Sequence, residues 1–296
     1  MPMLNSNKNL QINSRSLARL ISNAGFRQLV NDKDCKAFGK NLKNIILKNS
    51  KKFKGNPSIK ELLDFSYNYL QQDYRHEYIY KTKLLSEYIL SNYSLADTII
   101  LNEFKIGNSI ADMVLVNGTN KVFEIKTELD TPERLKTQVD DYYKGFSEVY
   151  IVTHFTIALK YKSIINENIG IIIFNEDNSL TTYREAIPDI SRLNNNVMMK
   201  SLRKGEFLKI IKSLFGSLPH TTQVALYKEC LALVETLDPV ILQKYFLSTI
   251  KGRIVDGEFL IMRGPGVPDY LKFFCYIFKI SEKQYLSLPA RLSWEA

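Results

Sequence analysis

Apolar residues recur at intervals of three and four over residues 16–30 (SLARLISNAGFRQLV), 35–49 and 58–72. That spacing puts them on one face of a helix, and Pro57-Ser58 opens the last of the three. From residue 74 the pattern mixes. A helical stretch over 75–92 precedes an extended run, DTIILNEFKI (97–106), and then two short apolar strands, MVLV (113–116) and KVF (121–123). Asn117-Gly118 lies between those strands, and this dipeptide strongly favours a hairpin turn. Thr131 reads as an N-cap with Pro132 at the first helical position, so a helix follows the second strand. EVYIVT (148–153) and GIIIFN (170–175) read as strands, with a short helix near 157–167 between them and a last hairpin to SLTTYREA after them. Helical periodicity returns over 198–216, 221–237, 239–253 and 269–281, and Gly264-Pro265-Gly266-Val267-Pro268 breaks the last pair. The expected class is α/β, a mixed sheet flanked by helices. The chain divides into a helical lobe over 1–73, an α/β core over 74–190 and a helical region over 191–296.

Chemistry concentrates on the hairpin. Side chains alternate along a strand, so Glu124 and Lys126 share one face while Phe123 and Ile125 take the other. Asp112 begins the partner strand, and the turn brings its carboxylate toward Glu124. Two adjacent carboxylates repel unless a cation lies between them. Magnesium suits that place, because it takes oxygen ligands and is commonly held by one or two carboxylates plus substrate phosphate. Such an ion activates a bound water and stabilises charge on phosphorus, and Lys126 can orient the water. The plain alternative is a Glu-x-Lys ion pair on a solvated strand.

Asp112 followed by Glu124-Ile125-Lys126 resembles the signature of the PD-(D/E)XK nuclease superfamily, with Ala111 where the name-giving proline stands. Gln138 and Tyr142, on the next helix, resemble the Gln-x-x-x-Tyr motif of its RecB-like branch. HEYIYK (76–81), NEFKIGNSIAD (102–112) and FEIKTELDTPERL (123–135) are similar to an uncharacterised bacterial family of such nucleases, and the likeness covers about residues 74–175. The resemblance implies a restriction-endonuclease-like core of order αβββαβ and Mg2+- or Mn2+-dependent phosphodiester hydrolysis. It implies that Asp112, Glu124 and the backbone carbonyl of Ile125 hold the ion, that Lys126 positions the attacking water, and that Gln138 and Tyr142 hold the substrate strand. It places Glu77 at the edge of the active site, where the plain alternative is an ion pair with Lys81 four residues on. DNA is favoured over RNA on the same ground, with phage defence or mobile-element biology as the setting. Glu103 is either a second acid beside the metal or an exposed strand residue, and Asp130 only favours the following helix start. A rival reading keeps the fold in a silent nucleic-acid-binding or interaction protein, whose signature would be loss of Asp112, Glu124 or Lys126. No Gly-rich phosphate loop or nucleophile elbow supports another enzyme class.

Composition agrees with a soluble enzyme: 296 residues at 45% hydrophobic can bury a full core. Neither a membrane-length apolar run nor a signal pattern is visible, so a cytoplasmic location and no membrane partner are expected. Cys35, Cys230 and Cys275 are far apart and odd in number, which points to reduced buried thiols, and the three histidines are scattered. The charge is uneven. Residues 1–60 hold 13 Lys or Arg against 2 Asp or Glu, a local balance of +11 in a chain of net +9. Lys48, Lys51, Lys52 and Lys54 form the densest run, and Lys51 and Lys52 are candidate phosphate contacts. The alternative is a solvated lysine-rich surface. A homodimer or a protein partner is left open.

Overall fold

A computed structural model describes residues 12–48, 53, 55–94, 96–253 and 266–296. The chain divides into two compact units, Met1–Leu85 with Leu260–Ala296 and Ser86–Phe259. This division differs from the three sequential regions expected above, because the helices over 191–253 pack with the sheet while residues from 266 onward pack with the N-terminal helices.

The first unit is helical. The single helix expected over 16–30 is two, Ser14–Leu20 and Asn23–Val30. Ser22 interrupts it with an extended backbone, and its hydroxyl caps the second helix by accepting from Gly25 N–H. Helices Cys35–Leu47 and Ile59–Asp73 follow, the latter opened by a capping box of Ser58 and Glu61. Glu77–Lys83 comes next. The C-terminal helices Asp269–Ile277 and Glu282–Leu292 complete the unit. Phe26 stacks on Phe274 at 5.4 Å and Tyr67 on Tyr270 at 4.5 Å, so large aromatic faces seal the chain ends together.

The stretch expected as one helix over 75–92 changes pitch. After Lys83 it winds as a π-helical turn, Leu84–Ile89, and ends as Leu90–Asn92. Glu87 and Tyr88 already belong to the second unit and contact its sheet: the Glu87 carboxylate accepts from Leu180 N–H at 3.0 Å, and the Tyr88 hydroxyl lies 3.4 Å from Lys121 Nζ.

The second unit is built on a six-stranded mixed sheet: β1 (Ile99–Ile106), β2 (Ser109–Asn117), β3 (Thr119–Lys126), β4 (Glu148–His154), β5 (Gly170–Phe174) and β6 (Leu180–Arg184). The strands lie in sequence order. Antiparallel pairs β1/β2, β2/β3 and β5/β6 are joined by short turns, and Gly118, at φ +64°, supplies the left-handed residue of the β2–β3 turn. Parallel pairs β3/β4 and β4/β5 need crossovers. Helices Leu135–Tyr142 and Phe155–Lys162 provide them. The first of these starts three residues after the Thr131-Pro132 signal, because residues 132–135 close a turn with Leu135 N–H on Pro132 C=O at 3.0 Å.

One apolar core joins the sheet to these crossovers and to helices Asn195–Lys200, Lys204–Phe215, Leu226–Glu235 and Pro239–Lys251. Phe104, Phe146 and Phe246 meet at its centre, with ring centroids 5.6 to 6.3 Å apart. Its composition exposes a break in β1. Ile99 lies in this core, and so do Phe104 and Ile106, although regular alternation would put the odd and even positions on opposite faces. Glu103 resolves the conflict with a left-handed backbone, φ +54°. The β1/β2 ladder pairs Asn102 with Met113 and Phe104 with Ala111, and Glu103 faces Asp112 between these two pairs. On its other side the β2/β3 ladder begins only at Met113 with Phe123. Asp112 therefore stands in the middle strand of three, at the point where the β2/β3 ladder begins.

Candidate active site

β3 runs past the end of its ladder with β2, so Glu124, Ile125 and Lys126 pair on one side only, with Ile151, Val152 and Thr153 of β4. Ile125 N–H turns toward β2 and donates to Asp112 Oδ2 at 2.7 Å. Lys126 C=O turns the other way and accepts from the Thr153 hydroxyl at 2.8 Å. Since the N–H and C=O of one strand residue face the same edge, the carbonyl of Ile125 also faces Asp112. An acidic side chain and a main-chain oxygen are thereby brought to one open edge.

Glu124 is the buried partner, 2% exposed, and three donors surround its carboxylate. Lys126 Nζ donates to Oε1 at 2.7 Å and Gln138 Nε2 to the same oxygen at 2.6 Å. The Tyr142 hydroxyl donates to Oε2 at 2.5 Å, with the Ile110 carbonyl at 3.0 Å as the alternative acceptor for its one proton. Gln138 also accepts from Lys126 at 3.0 Å, which closes a ring of Glu124, Lys126 and Gln138. The i, i+4 spacing of Gln138 and Tyr142 on helix Leu135–Tyr142 makes this possible, since both side chains then descend on one face. Burial raises the Tyr142 phenol above its ordinary range, and the Glu124 charge and hydrogen bond and the Asp112 charge act the same way. Tyr142 is thus a protonated donor at neutral pH.

A second acid holds the scaffold. Asp141, 3% exposed, accepts from Asn108 N–H at 3.0 Å, the Ser109 hydroxyl at 2.8 Å and Lys144 Nζ at 2.6 Å. It ties the site helix to the β1–β2 turn, two residues before the strand reaches Ala111 and Asp112. Gly107, at φ +61°, is required there, because a Cβ would stand 2.6 Å from Asp141 Oδ1. Beyond Lys126, the Thr127 N–H and hydroxyl both donate to Asp130 Oδ2, at 2.8 and 2.7 Å, which fixes the exit from β3.

The residues singled out from the sequence fall into three groups. Asp112, Glu124, Ile125, Lys126, Gln138 and Tyr142 come together. Gln138 and Tyr142, expected on the substrate strand, both hydrogen-bond Glu124, and Tyr142 has no exposed surface. Glu77 belongs to the other unit, where it pairs with the fully buried Lys81. Lys51, Lys52 and Lys54 lie outside the described residues, whereas Lys48 is the residue that ends helix Cys35–Leu47. The part played by Asp141 has no signature in the sequence beyond its place in Gln138-Val139-Asp140-Asp141-Tyr142.

Among the described residues no group of three or more His, Cys, Asp or Glu side chains is arranged to hold a metal ion. Asp112, Glu124 and the Ile125 carbonyl offer two carboxylates and one carbonyl, all hard oxygens, and that donor chemistry fits magnesium, which keeps several waters of its own. Cys35, Cys230 and Cys275 are free and buried. No helix among the described residues is long and apolar enough to cross a membrane.

Residues 70–261 match the family model described as Bacteriophage P4 protein cII. A curated relative, "Protein cII" of Enterobacteria phage P4, is 27% identical over 174 residues, which are 57% of this chain and 64% of the relative. The chain therefore spans just under two thirds of that relative's length. A solved structure, the SPO1766 protein of unknown function from Silicibacter pomeroyi, aligns at a TM-score of 0.28 and 14% identity over 40% of this chain and 80% of its own, a likeness too slight to bear on the fold.

Proposed function

The chain belongs to the bacteriophage P4 protein cII family, and we propose that it is a divalent-metal-dependent nuclease of PD-(D/E)XK type acting on DNA. One observation carries the reading: Ile125 N–H donates to Asp112 where the β2/β3 ladder opens, and the neighbouring Glu124 holds Lys126. A two-carboxylate edge with an adjacent ammonium suits in-line attack on a phosphodiester. The PD-(D/E)XK type rests on the motif resemblance together with these contacts.

Asp112, Glu124 and the Ile125 carbonyl would hold Mg2+ or Mn2+. The bound ion supplies an acidified water and charge stabilisation at the phosphoryl oxygens. The chain's own groups do the rest. Gln138 and Tyr142 fix the rotamer of Glu124 and keep its charge solvated in a buried place. Lys126 shares Oε1 with Gln138, so its ammonium can turn to the attacking water while Gln138 and Tyr142 remain on the carboxylate. Its Gln138 contact keeps it oriented in either position. Asp112, held through Ile125 N–H, is pre-placed rather than recruited.

Nucleic acid is the substrate class in this reading, and the basic run at Lys48, Lys51, Lys52 and Lys54 would supply phosphate contacts. The phage source of the relative supports mobile-element biology ahead of defence. The test is cleavage of linear, circular, single-stranded and branched DNA, and of RNA, by the full chain. Cleavage in Mg2+ or Mn2+ but not in Ca2+ or chelator is expected. Undiminished cleavage in excess chelator contradicts the mechanism.

A further inference from the structure

Gln138 and Tyr142 are occupied by the site itself, so the contact with the substrate strand implied for them falls to another group. Gln138 donates to Glu124 and accepts from Lys126, and the one Tyr142 proton goes to Glu124 or to the Ile110 carbonyl. Arg134 belongs to the same helix face. Its backbone is already helical, and its carbonyl accepts from Gln138 N–H at 3.0 Å, which sets the two residues one turn apart. Two side-chain contacts fix the direction of that face: Gln138 reaches Glu124 on β3, and Asp141 reaches Ser109 on β2. At 3.6 residues per turn Arg134 lies between them, about 40° from Gln138 on one side and about 20° from Asp141 on the other. Because Cβ bonds tilt toward the helix start, Arg134 leans outward from Gln138, on the solvent side of the ring of Glu124, Lys126 and Gln138.

Fold stability gives no reason for an arginine here. Arg134 is exposed, and its guanidinium has neither a hydrogen bond nor an ion pair among the described residues. Arg184, Arg192 and Arg253 of the same unit are each held by carbonyl or carboxylate oxygens. Arg134 stands at the N-cap without capping the helix, and the first turn holds no acid, so its charge opposes the helix dipole. Lys136 shares that turn but lies about 160° around the helix from Gln138. It lines a separate groove with Asp140 and Ile164.

We propose that Arg134 is a substrate-binding residue of this site, its guanidinium donating to a phosphate of the DNA strand next to the one that is cut. The planar fork matches two oxygens of one phosphate, which a lysine ammonium does not. The inference rests on the nuclease reading of the site and adds the group that grips its substrate.

The test measures binding of fluorescein-labelled linear DNA, duplex and single-stranded, to the full chain in Ca2+ over a range of salt, for wild type, Arg134→Ala, Arg134→Lys and Lys136→Ala. Circular dichroism verifies that each variant is folded. Arg134→Ala should weaken binding about tenfold at low salt. It should also lower the slope of log K against log salt by about 0.9 on duplex or about 0.7 on single strands, the share of one phosphate. Arg134→Lys should keep the slope and bind more weakly than wild type, and Lys136→Ala should match wild type in both. In Mg2+, Arg134→Ala should raise KM and leave kcat unchanged. A wild-type slope in Arg134→Ala overturns the inference, and so does an equal drop in Arg134→Ala and Lys136→Ala, which would assign the effect to the charge of the helix end. Wild-type protein that binds no DNA overturns the nuclease reading and the inference with it. A slope that depends on Arg134 in a protein that does not cut DNA supports the strand contact and overturns the cleavage chemistry alone.

Discussion

Replacing Glu124 by Gln separates the electrostatics of the site from its chemistry. The swap keeps shape and removes one charge, and it strands the Lys126 ammonium, which is 6% exposed. Removing one partner of a buried ion pair costs about 3–5 kcal/mol, because the other charge stays desolvated without compensation. Two acceptors soften the loss: the new amide carbonyl, and Gln138 Oε1 at 3.0 Å from Lys126 Nζ. With these acceptors still available to the ammonium, the loss should fall at the lower end of that range, about 3 kcal/mol for Glu124→Gln. The double variant Glu124→Gln, Lys126→Met removes the stranded charge and should recover most of that loss. Asp112→Asn should cost only about 1 kcal/mol, since an amide oxygen can still accept from Ile125 N–H. The assay is urea unfolding in chelator followed by far-UV circular dichroism. Fluorescence is unsuitable, because the single tryptophan, Trp294, belongs to the other unit. A Glu124→Gln variant within about 1 kcal/mol of the wild type, or a double variant weaker than the single, would refute the reasoning.

Asp141 should make the protein acid-labile. Burial pushes its carboxyl up, but Lys144, Ser109 and Asn108 together hold it below the ordinary value. Its contribution is therefore complete above an ordinary carboxyl pKa of about 3.9 and is lost as pH falls through the lower folded value. Asp141→Asn should cost about 2–3 kcal/mol at pH 7, a gap that closes below about pH 4 in urea titrations, and a pH-independent gap would remove the ionised carboxylate from the account. Cys275, whose thiol burial pushes up to about 12, should resist a thiol-specific reagent together with Cys35 and Cys230 until urea unfolds the chain. Rapid labelling of any of the three in the native protein contradicts their burial. Changing Lys48, Lys51, Lys52 and Lys54 together to Ser should flatten the dependence of log K on log salt for DNA by about one unit per lost phosphate contact. An unchanged slope assigns these lysines to a solvated surface.

Several features of the fold were legible because they depend on local chemistry. The hairpin is announced by Asn117-Gly118 between apolar runs, and the strands at 148–154 and 170–174 by continuous apolar residues that suit a doubly covered parallel sheet. The site hairpin carries Glu124 and Lys126 at a spacing that guarantees a shared face. What was not legible depends on contacts distant in sequence. The break at Glu103 appears in no composition signal, since left-handed backbone at a glutamate is imposed by the need to keep Ile99, Phe104 and Ile106 in one core. The inward turn of Gln138 and Tyr142 depends on the helix packing against β2, which Asp141 fixes from 32 and 33 residues away. The regrouping of residues 266–296 with the N-terminal helices rests on aromatic contacts such as Phe26 with Phe274, and helical periodicity says nothing about which helices meet.

The proposed activity is phosphodiester cleavage with a divalent ion held at Asp112 and Glu124. The most direct measurement follows cleavage of a long linear DNA by wild type and Asp112→Asn side by side in Mg2+, with folding of both verified by circular dichroism. Wild-type cleavage and a loss of at least 100-fold in a folded Asp112→Asn protein is the predicted result. Equal rates in the two proteins, or no cleavage by folded wild type on any nucleic acid in Mg2+ or Mn2+, would contradict it.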